Sequence, residues 1–134
     1  MCSIRSGRLS DYPVIRQYDE FMGDRRLDLQ AGELRVADAE GSEAIGYLRI
    51  SPKGFLNWPF VAYLCVKSEF RNHGVGRQLI EHAIQDDRYV RLYISTEANN
   101  FAMQSLLKKI GADEIGYADQ LNFSNERELF YRLK

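Results

Sequence analysis

The sequence lacks a long apolar run, an excess of either charge and any block rich in lysine or arginine. No segment approaches the roughly 20 apolar residues that a membrane-spanning helix needs, and we expect no signal peptide. Its 18 basic and 19 acidic residues nearly cancel, so the electrostatic pattern of a nucleic-acid-binding protein is missing. We therefore expect neither a membrane nor a nucleic acid among its partners.

Cysteine is scarce as well, with only Cys2 and Cys65, which lie far apart in the sequence. Cys65 falls in an apolar segment, where a thiol usually acts as a small core residue and not as a nucleophile. Two free thiols suit the reducing cytoplasm better than a disulfide scaffold, so we expect a cytoplasmic protein. No histidines, cysteines and carboxylates show the spacing of a metal site, and none is predicted.

What is present is the composition of one folded domain. Of the 134 residues, 45% are hydrophobic and 28% charged, which is ordinary for a globular protein with a real core. The sequence contains no repeat, low-complexity tract or linker. We therefore expect residues 1–134 to form a single domain.

Hydrophobic periodicity predicts strands that alternate with helices, as in an α/β or α+β sheet with helices on its faces. A strand predicted at 89–95 has Val90, Leu92 and Ile94 on one face. A late helix is expected to be capped by Asn99 or Asn100. The other predicted elements are an edge strand at 3–5, a helix at 11–21, a hairpin of 34–39 and 44–50 with its turn at 40–42 and its end at 51–54, an apolar central strand at 61–66, a helix at 75–84, a helix through 103–110, and closing strands at 113–117 and 127–133.

The segment 70–76, F-R-N-H-G-V-G, joins the apolar strand to the following helix. The first N–H groups of a helix have no partner inside it and carry partial positive charge, so this place favours an anion. Gly74 and Gly76 would let a phosphate approach the backbone, and Arg71 adds a permanent cation. A P-loop is excluded because no glycine-lysine-serine or glycine-lysine-threonine triplet occurs, and a dinucleotide fingerprint fails because its third glycine would fall at Leu79.

This loop resembles the acetyl-CoA loop of the GNAT superfamily of N-acetyltransferases, whose signature is [Q/R]-x-x-G-x-[G/A]. The resemblance covers nearly the whole chain, because a second family pattern, N-x-x-A-x-x-L-Y-x-K-x-G-F, follows at the expected distance. The signature falls on residues 71–76. The wider pattern around it, L-x-V-x-P-x-[YF]-R-x-x-G-x-G-x-x-L, falls on Leu64, Val66, Phe70, Arg71, Gly74, Gly76 and Leu79. The second pattern falls on Asn100, Met103, Leu106, Leu107, Lys109, Gly111 and Ala112.

The resemblance implies the fold class and the binding of acetyl-CoA as co-substrate. The expected GNAT fold is α/β (α+β), with a single mixed, mostly antiparallel sheet, splayed parallel strands 4 and 5 at its centre, and helices on both faces. The pantetheine arm would enter the gap between these strands, and the loop amides would hold the diphosphate. The residues implied to bind the cofactor are Leu64, Cys65, Val66, Arg71, Asn72, His73, Gly74, Val75, Gly76 and Asn100.

Catalytic residues are harder to assign. An attacking amine needs a base, and Glu97, just beyond the predicted strand, is the first candidate; a solvated loop carboxylate is the alternative reading. Many family members carry a tyrosine that protonates the departing thiolate, but Leu107 stands at that position and cannot donate a proton. Tyr117, Tyr63 or a water would have to substitute, and we take Tyr117 as the candidate acid. His73 is expected to contact phosphate or solvent and not to act as a base.

Two functions remain open from the sequence. The first is an N-acetyltransferase that moves acetyl from acetyl-CoA to a primary amine, of a small molecule or a polypeptide, by direct attack in a ternary complex. The resemblance implies that the first helices and edge loops, including 18–21 and 24–26, recognise this acceptor. The alternative is a non-catalytic acyl-CoA-binding or regulatory GNAT-like domain. A homodimer is also left open.

Overall fold

The computed structural model describes residues 2–21, 23–40 and 43–134. These residues form one seven-stranded sheet, in the order β1-β2-β3-β4-β5-β7-β6, and four helices. Among the described helices, none is long and apolar enough to cross a bilayer. The elements are β1 (Cys2–Ser6), α1 (Tyr12–Tyr18), α2 (Arg26–Gln30), β2 (Leu34–Ala39), β3 (Glu43–Phe55), β4 (Trp58–Val66), α3 (Val75–Ile84), β5 (Tyr93–Glu97), α4 (Phe101–Lys109), β6 (Asp113–Ala118) and β7 (Glu128–Arg132), with short 3-10 turns at Leu9–Asp11 and Ser68–Phe70.

The core lies in two layers, one on each face of the sheet. Successive residues of a strand point to opposite faces, so Tyr47 packs with Ile15 of α1 while its neighbour Leu48 packs with Leu79 of α3 and Leu107 of α4. Helices α1 and α2 therefore cover one face, and α3 and α4 cover the other. The expected mixed sheet with helices on both faces is confirmed.

Strands β4 and β5 are the parallel neighbours in this otherwise antiparallel sheet. They pair at Phe60 and Tyr93 alone, and no further pair joins them up to Val66 and Glu97, where the two strands end. The expected splay is thus confirmed. It leaves backbone donors and acceptors along the inner edge of each strand without a ladder partner in the sheet.

A β-bulge lies in β4 beside this gap. Arg49 of β3 pairs with Tyr63, and the next residue, Ile50, pairs with Val61. Ala62 is consequently an extra residue with no partner in β3. Bulges re-aim the side chains and amides around them, and here Ala62 is turned into a wall of the gap.

Strand β3 is longer than predicted. The segment Ser51-Pro52-Lys53-Gly54 was expected to end it, but the strand continues to Phe55. Register is lost between Ser51 and Phe55, so Pro52 removes no ladder hydrogen bond. The chain reverses instead at Leu56 and Asn57, whose φ values of 48° and 74° are those of a two-residue hairpin turn.

The predicted strand at 89–95 is shifted toward the C-terminus. Strand β5 begins at Tyr93, where pairing with β7 begins, and ends at Glu97. Leu92 and Ile94 are buried as expected, but Val90 is 81% exposed because no strand lies beside it. Glu97 is therefore the last residue of a strand and not a loop residue.

The first helix is shorter than predicted, and a second helix was missed. Helix α1 ends at Tyr18 because Asp19 is extended, with φ −64° and ψ 109°. The Asp19 carboxylate is nine-tenths buried, and it accepts hydrogen bonds from Arg25 Nε (3.0 Å) and from the Tyr47 hydroxyl. This contact fixes the connection between α1 and α2.

The predicted β2–β3 turn cannot be compared in full, since Gly41 and Ser42 lie outside the described residues.

Candidate active site

The loop that joins β4 to α3 turns with two left-handed residues. Asn72 has φ 64°, and Gly74, the N-cap of α3, has φ 83°. A Cβ added at Gly74 would meet nothing within 4 Å, so glycine is required here for backbone conformation and not for space. Gly76 lies in the first turn of α3, and a Cβ there would lie at ordinary van der Waals distance, 3.8 Å, from the Leu64 side chain on the wall of a cleft.

This cleft, which we name the loop cleft, has a volume of about 720 Å³. Its walls are residues 64–66 of β4, residues 70–72 and 74–77 of the loop and the start of α3, one side of α4 with its N-cap, and Glu20. It brings together nine of the ten residues predicted to bind the cofactor. The exception is His73, which is not among the lining residues and instead borders a neighbouring pocket with Cys2 and Gln78.

The loop cleft is rich in cations. Arg71, Arg77 and Lys109 line it, against a single carboxylate, Glu20, among the described lining residues. The Arg71 guanidinium donates from Nε to the Val66 carbonyl (2.9 Å) and forms an ion pair with Glu20 through Nη2. Together with the first N–H groups of α3, these cations favour a phosphorylated ligand.

A second cavity, of about 590 Å³, lies along the gap between β4 and β5 and is lined by residues of both strands. We name it the carboxylate cavity, because Glu97 and Glu128 line it and no cation does so among the residues described. Glu97 accepts a hydrogen bond from Ser124 Oγ (2.7 Å), and Glu128 accepts one from Asn122 Nδ2 (3.2 Å). Phe21 closes one end of the cavity and packs on Tyr63, with 4.8 Å between ring centroids.

The two cavities meet at three residues, Leu64, Asn100 and Met103, which line both. Asn100 is the N-cap of α4, and its Oδ1 accepts the Met103 amide (3.1 Å). Since that oxygen is engaged, Asn100 can offer its Nδ2 as a donor to a ligand. The junction is where a group bound in the loop cleft would meet a group bound in the carboxylate cavity.

Tyr117, the candidate acid, is not brought to either cavity. It lies on β6, the edge strand, which is separated from β4 by β5 and β7. Its partner Leu129 packs toward α3 and α4, and Arg127 covers the Tyr117 ring with its guanidinium carbon 3.8 Å from the centroid. The strand order places this hydroxyl away from the gap, so Tyr117 is not a candidate for proton transfer there.

Leu107 and Cys65 take no visible part in chemistry. Leu107 is fully buried in the core between α3, α4 and the sheet, and it is not among the residues that line the loop cleft. Burial raises the pKa of the Cys65 thiol to about 11, which disfavours the thiolate that a nucleophile needs. No group of three residues able to hold a metal ion occurs in the described part of the chain.

Glu128 and Glu20 are the site residues that sequence reasoning missed. Glu128 pairs directly with Glu97, through a register between two strands that the sequence pattern does not reveal. Glu20 was assigned only to a segment for acceptor recognition. Its contact with Arg71, 51 residues away in sequence, has no signal in the local pattern.

Comparison with known proteins identifies the family. The model of the acetyltransferase (GNAT) family matches residues 3–112. The chain belongs to the GNAT family. No curated protein matches the sequence significantly, so the family assignment rests on this match.

Several solved GNAT structures share the fold along nearly the whole chain. A GNAT family acetyltransferase from Bacillus cereus ATCC 10987 is 18% identical, with a TM-score of 0.88 over 100% of this chain and 97% of that one. The ribosomal-protein-S18-alanine N-acetyltransferase from Escherichia coli is 18% identical, with a TM-score of 0.76 over 99% and 93%. A GNAT family acetyltransferase from Elizabethkingia anophelis, with acetyl-CoA bound, is 17% identical, with a TM-score of 0.73 over 99% and 97%. At these identities the likeness concerns the fold.

Proposed function

We propose that this GNAT protein is an N-acetyltransferase that transfers acetyl from acetyl-CoA to a primary amine. One observation carries the proposal. A cationic cleft at a helix N-terminus and an anionic cavity meet at Leu64, Asn100 and Met103, beside a sheet edge without ladder partners. An anionic cofactor in the cleft and a cationic acceptor in the cavity would thus meet at one point.

Acetyl-CoA occupies the loop cleft in this proposal. Its diphosphate accepts hydrogen bonds from the amides of residues 72–76, and Arg71 adds a charged contact. The pantetheine arm pairs with the free edge of β4 at Leu64, Cys65 and Val66, as an added strand would. The acetyl-CoA-bound GNAT structure from Elizabethkingia anophelis supports this choice of co-substrate.

The acceptor approaches through the carboxylate cavity. An alkyl amine is protonated near neutral pH, and two carboxylates in a cavity that none of the described cations lines attract such an ammonium ion. Before attack, the ammonium must lose a proton, which Glu97 accepts directly or through a water. Glu128, opposite Glu97, keeps the cationic form concentrated at the site.

The chemical step is direct attack in a ternary complex. The amine lone pair adds to the thioester carbonyl carbon, and backbone N–H groups of β4 stabilise the oxyanion. The C–S bond then breaks as the nitrogen gives up its second proton to water, which leaves a neutral amide. The electron pair of that bond leaves on the sulfur of coenzyme A. The thiolate of a thiol whose ordinary pKa is about 8.5 is a fairly stable leaving group near neutral pH. The proposed reaction therefore proceeds without a tyrosine in place of Leu107.

The alternative function is non-catalytic binding of acyl-CoA. It is favoured by one observation, the buried apolar Leu107 at the family's tyrosine position. Loss of one general acid reduces a rate by roughly 10²–10⁴, which slows catalysis but does not abolish it. The negative charge of the carboxylate cavity, which a cofactor-binding domain does not need, favours the enzyme.

Thiol release from acetyl-CoA across a panel of amines tests the proposal. The panel should include small diamines, amino acid amides and peptides with a free N-terminus, and acetyl-CoA binding should be measured by calorimetry in parallel. We expect thiol release above the no-amine blank for at least one class. A flat panel with acetyl-CoA still bound would favour the binding domain, and absence of acetyl-CoA binding would contradict both functions.

A further inference from the structure

The cofactor loop makes an ion pair with a residue from the other side of the sheet. Arg71 lies between β4 and α3, whereas Glu20 lies between α1 and α2. Both residues of the pair line the loop cleft. Arg71 is held at two points, since its Nε also donates to the Val66 carbonyl (2.9 Å).

We propose that Glu20 competes with the diphosphate of acetyl-CoA for Arg71 and thereby sets the affinity for the cofactor. The inference rests on the proposed placement of acetyl-CoA in the loop cleft. Glu20 is a positioning residue in this account, because it acts on the cofactor through Arg71. Nothing in the motif of the loop requires a carboxylate at this position.

The charge arrangement supports competition. Glu20 is the single carboxylate among the described residues of the loop cleft, and it is paired with Arg71, the arginine within the loop itself. A diphosphate brings more charge than a carboxylate and also binds the first N–H groups of α3, so it displaces Glu20 from Arg71. The free energy needed to break the Arg71–Glu20 pair reduces the net binding free energy of the cofactor.

The exposure of the pair makes this exchange feasible. The Arg71 and Glu20 side chains are 47% and 57% exposed, and exposed ion pairs are weak and readily exchanged. A buried pair would instead hold Arg71 against the ligand. The contact is therefore suited to lowering the affinity for coenzyme A without preventing its binding.

Glu20 remains close to the cofactor after displacement. Its neighbour Asp19 is nearly fully buried and bound to Arg25 Nε (3.0 Å) and to the Tyr47 hydroxyl. This anchor fixes the backbone beside Glu20, so the released carboxylate stays at the mouth of the loop cleft and repels the diphosphate. Product coenzyme A carries the same diphosphate, so its release is promoted equally.

The test is a double-mutant cycle on acetyl-CoA binding, measured by calorimetry at low ionic strength. We expect Glu20→Gln to lower the Kd for acetyl-CoA by roughly two- to fivefold, the range that an exposed ion pair gives. In an Arg71→Met background, Glu20→Gln should change the Kd much less, because the competition has been removed. The Kd for coenzyme A should shift in parallel.

Glu69→Gln is the matched control. Glu69 is an exposed carboxylate in the 3-10 turn just before the loop, 3.6 Å from Lys67 Nζ, and it does not line the loop cleft. The Glu69→Gln substitution removes one negative charge near the loop and leaves the contacts of Arg71 unchanged. We expect its effect on the Kd to be smaller than that of Glu20→Gln.

Three outcomes would overturn the inference. These are an unchanged or raised Kd in Glu20→Gln, an equal effect in Glu69→Gln, or an equal effect of Glu20→Gln in the Arg71→Met background. The first contradicts competition, and the other two indicate a general effect of net charge. Failure of the wild-type protein to bind acetyl-CoA would be a distinct result, which overturns the proposed cofactor site together with this inference.

Discussion

Glu97 and Glu128 lie directly opposite each other across β5 and β7, and both line the carboxylate cavity. Like charges at opposed positions of two strands destabilise a sheet. Hydrogen bonds from Ser124 and Asn122 offset part of that repulsion. A cationic amine between the two carboxylates would relieve the rest, which is why we assign the acceptor to this cavity.

Replacement of Glu97 tests its proposed role as the base. We expect Glu97→Gln to lower kcat by roughly 10²–10⁴ with the most active amine of the panel, the range for removal of a general base. The Kd for acetyl-CoA should not change, because Glu97 does not line the loop cleft. Steady-state kinetics with calorimetry checks both values.

Glu128→Gln provides the comparison for that variant. It removes the same charge from the same cavity, so it should raise KM for the amine severalfold while kcat falls much less. Equal losses of kcat in the two variants would mean that charge alone matters and that Glu97 is not the base.

Strain at the N-cap of α3 can be separated from its effect on binding. Gly74 and Gly111 have φ values of 83° and 80°, and a Cβ at either would meet nothing within 4 Å. Alanine at each should therefore destabilise the protein by a similar amount, about 1–2 kcal/mol in chemical denaturation. Only Gly74→Ala should also weaken acetyl-CoA binding, by roughly 5–30-fold if relief of the strain moves the loop amides.

Gly111→Ala is the control for this prediction, because Gly111 follows the end of α4 and lies outside both cavities. Equal acetyl-CoA affinities of the two alanine variants would contradict the assignment of the diphosphate to the α3 N-terminus.

Placing the family's tyrosine at position 107 should not raise the rate of acetyl transfer. Leu107 is fully buried in the core, and overpacking of a core position typically destabilises a protein by about 1–3 kcal/mol. We expect Leu107→Tyr to lower the free energy of unfolding without raising kcat. A faster variant in the thiol-release assay would show instead that this position reaches the departing sulfur.

The stability of the protein should fall on mild acidification because of His82. Burial and the charge of Arg35, whose Nη1 lies 2.9 Å from His82 Nδ1, lower the pKa of His82 below its usual 6.5. The unfolded chain then binds a proton at a higher pH than the folded chain does. The stabilisation is therefore complete above about pH 6.5 and is lost as the pH falls toward the folded pKa.

Urea denaturation of the wild-type protein and of His82→Gln at about pH 7.5 and 5.5 checks this expectation. The wild type should lose more stability than the variant, while His73→Gln, which changes the other histidine, should behave like the wild type. The same pH dependence in wild type and His82→Gln would assign the loss to other groups, such as Asp86, whose carboxylate also pairs with Arg35.

Local signals explain which parts of the molecule could be predicted. The glycine loop, α3 and α4 were identified because their caps, periodicity and motif lie within a few residues of one another, as at Asn100 and Gly111. The cofactor side of the site follows from these elements.

Tertiary pairing explains what could not be predicted. Val90 continues the alternation of β5 but lies beyond the strand's partner, and Pro52 is tolerated because β3 is irregular there. The positions of Tyr117 and Glu128 depend on the order and register of the last strands, which the sequence does not reveal. The observed order places Tyr117 away from the gap, and the observed register brings Glu128 to it. Contacts between residues far apart in the sequence, such as that of Glu20 with Arg71, give no signal in the hydrophobic periodicity.

The single pair between Phe60 and Tyr93 divides the sheet into a four-stranded and a three-stranded half. The core cluster under α3 and α4 contains residues from both halves, such as Val61 and Ile94, and so joins them across that seam. A molecule whose amides hydrogen-bond to both free strand edges would connect the two halves. The affinity for that molecule and the resistance of the halves to separation therefore depend on the same contacts.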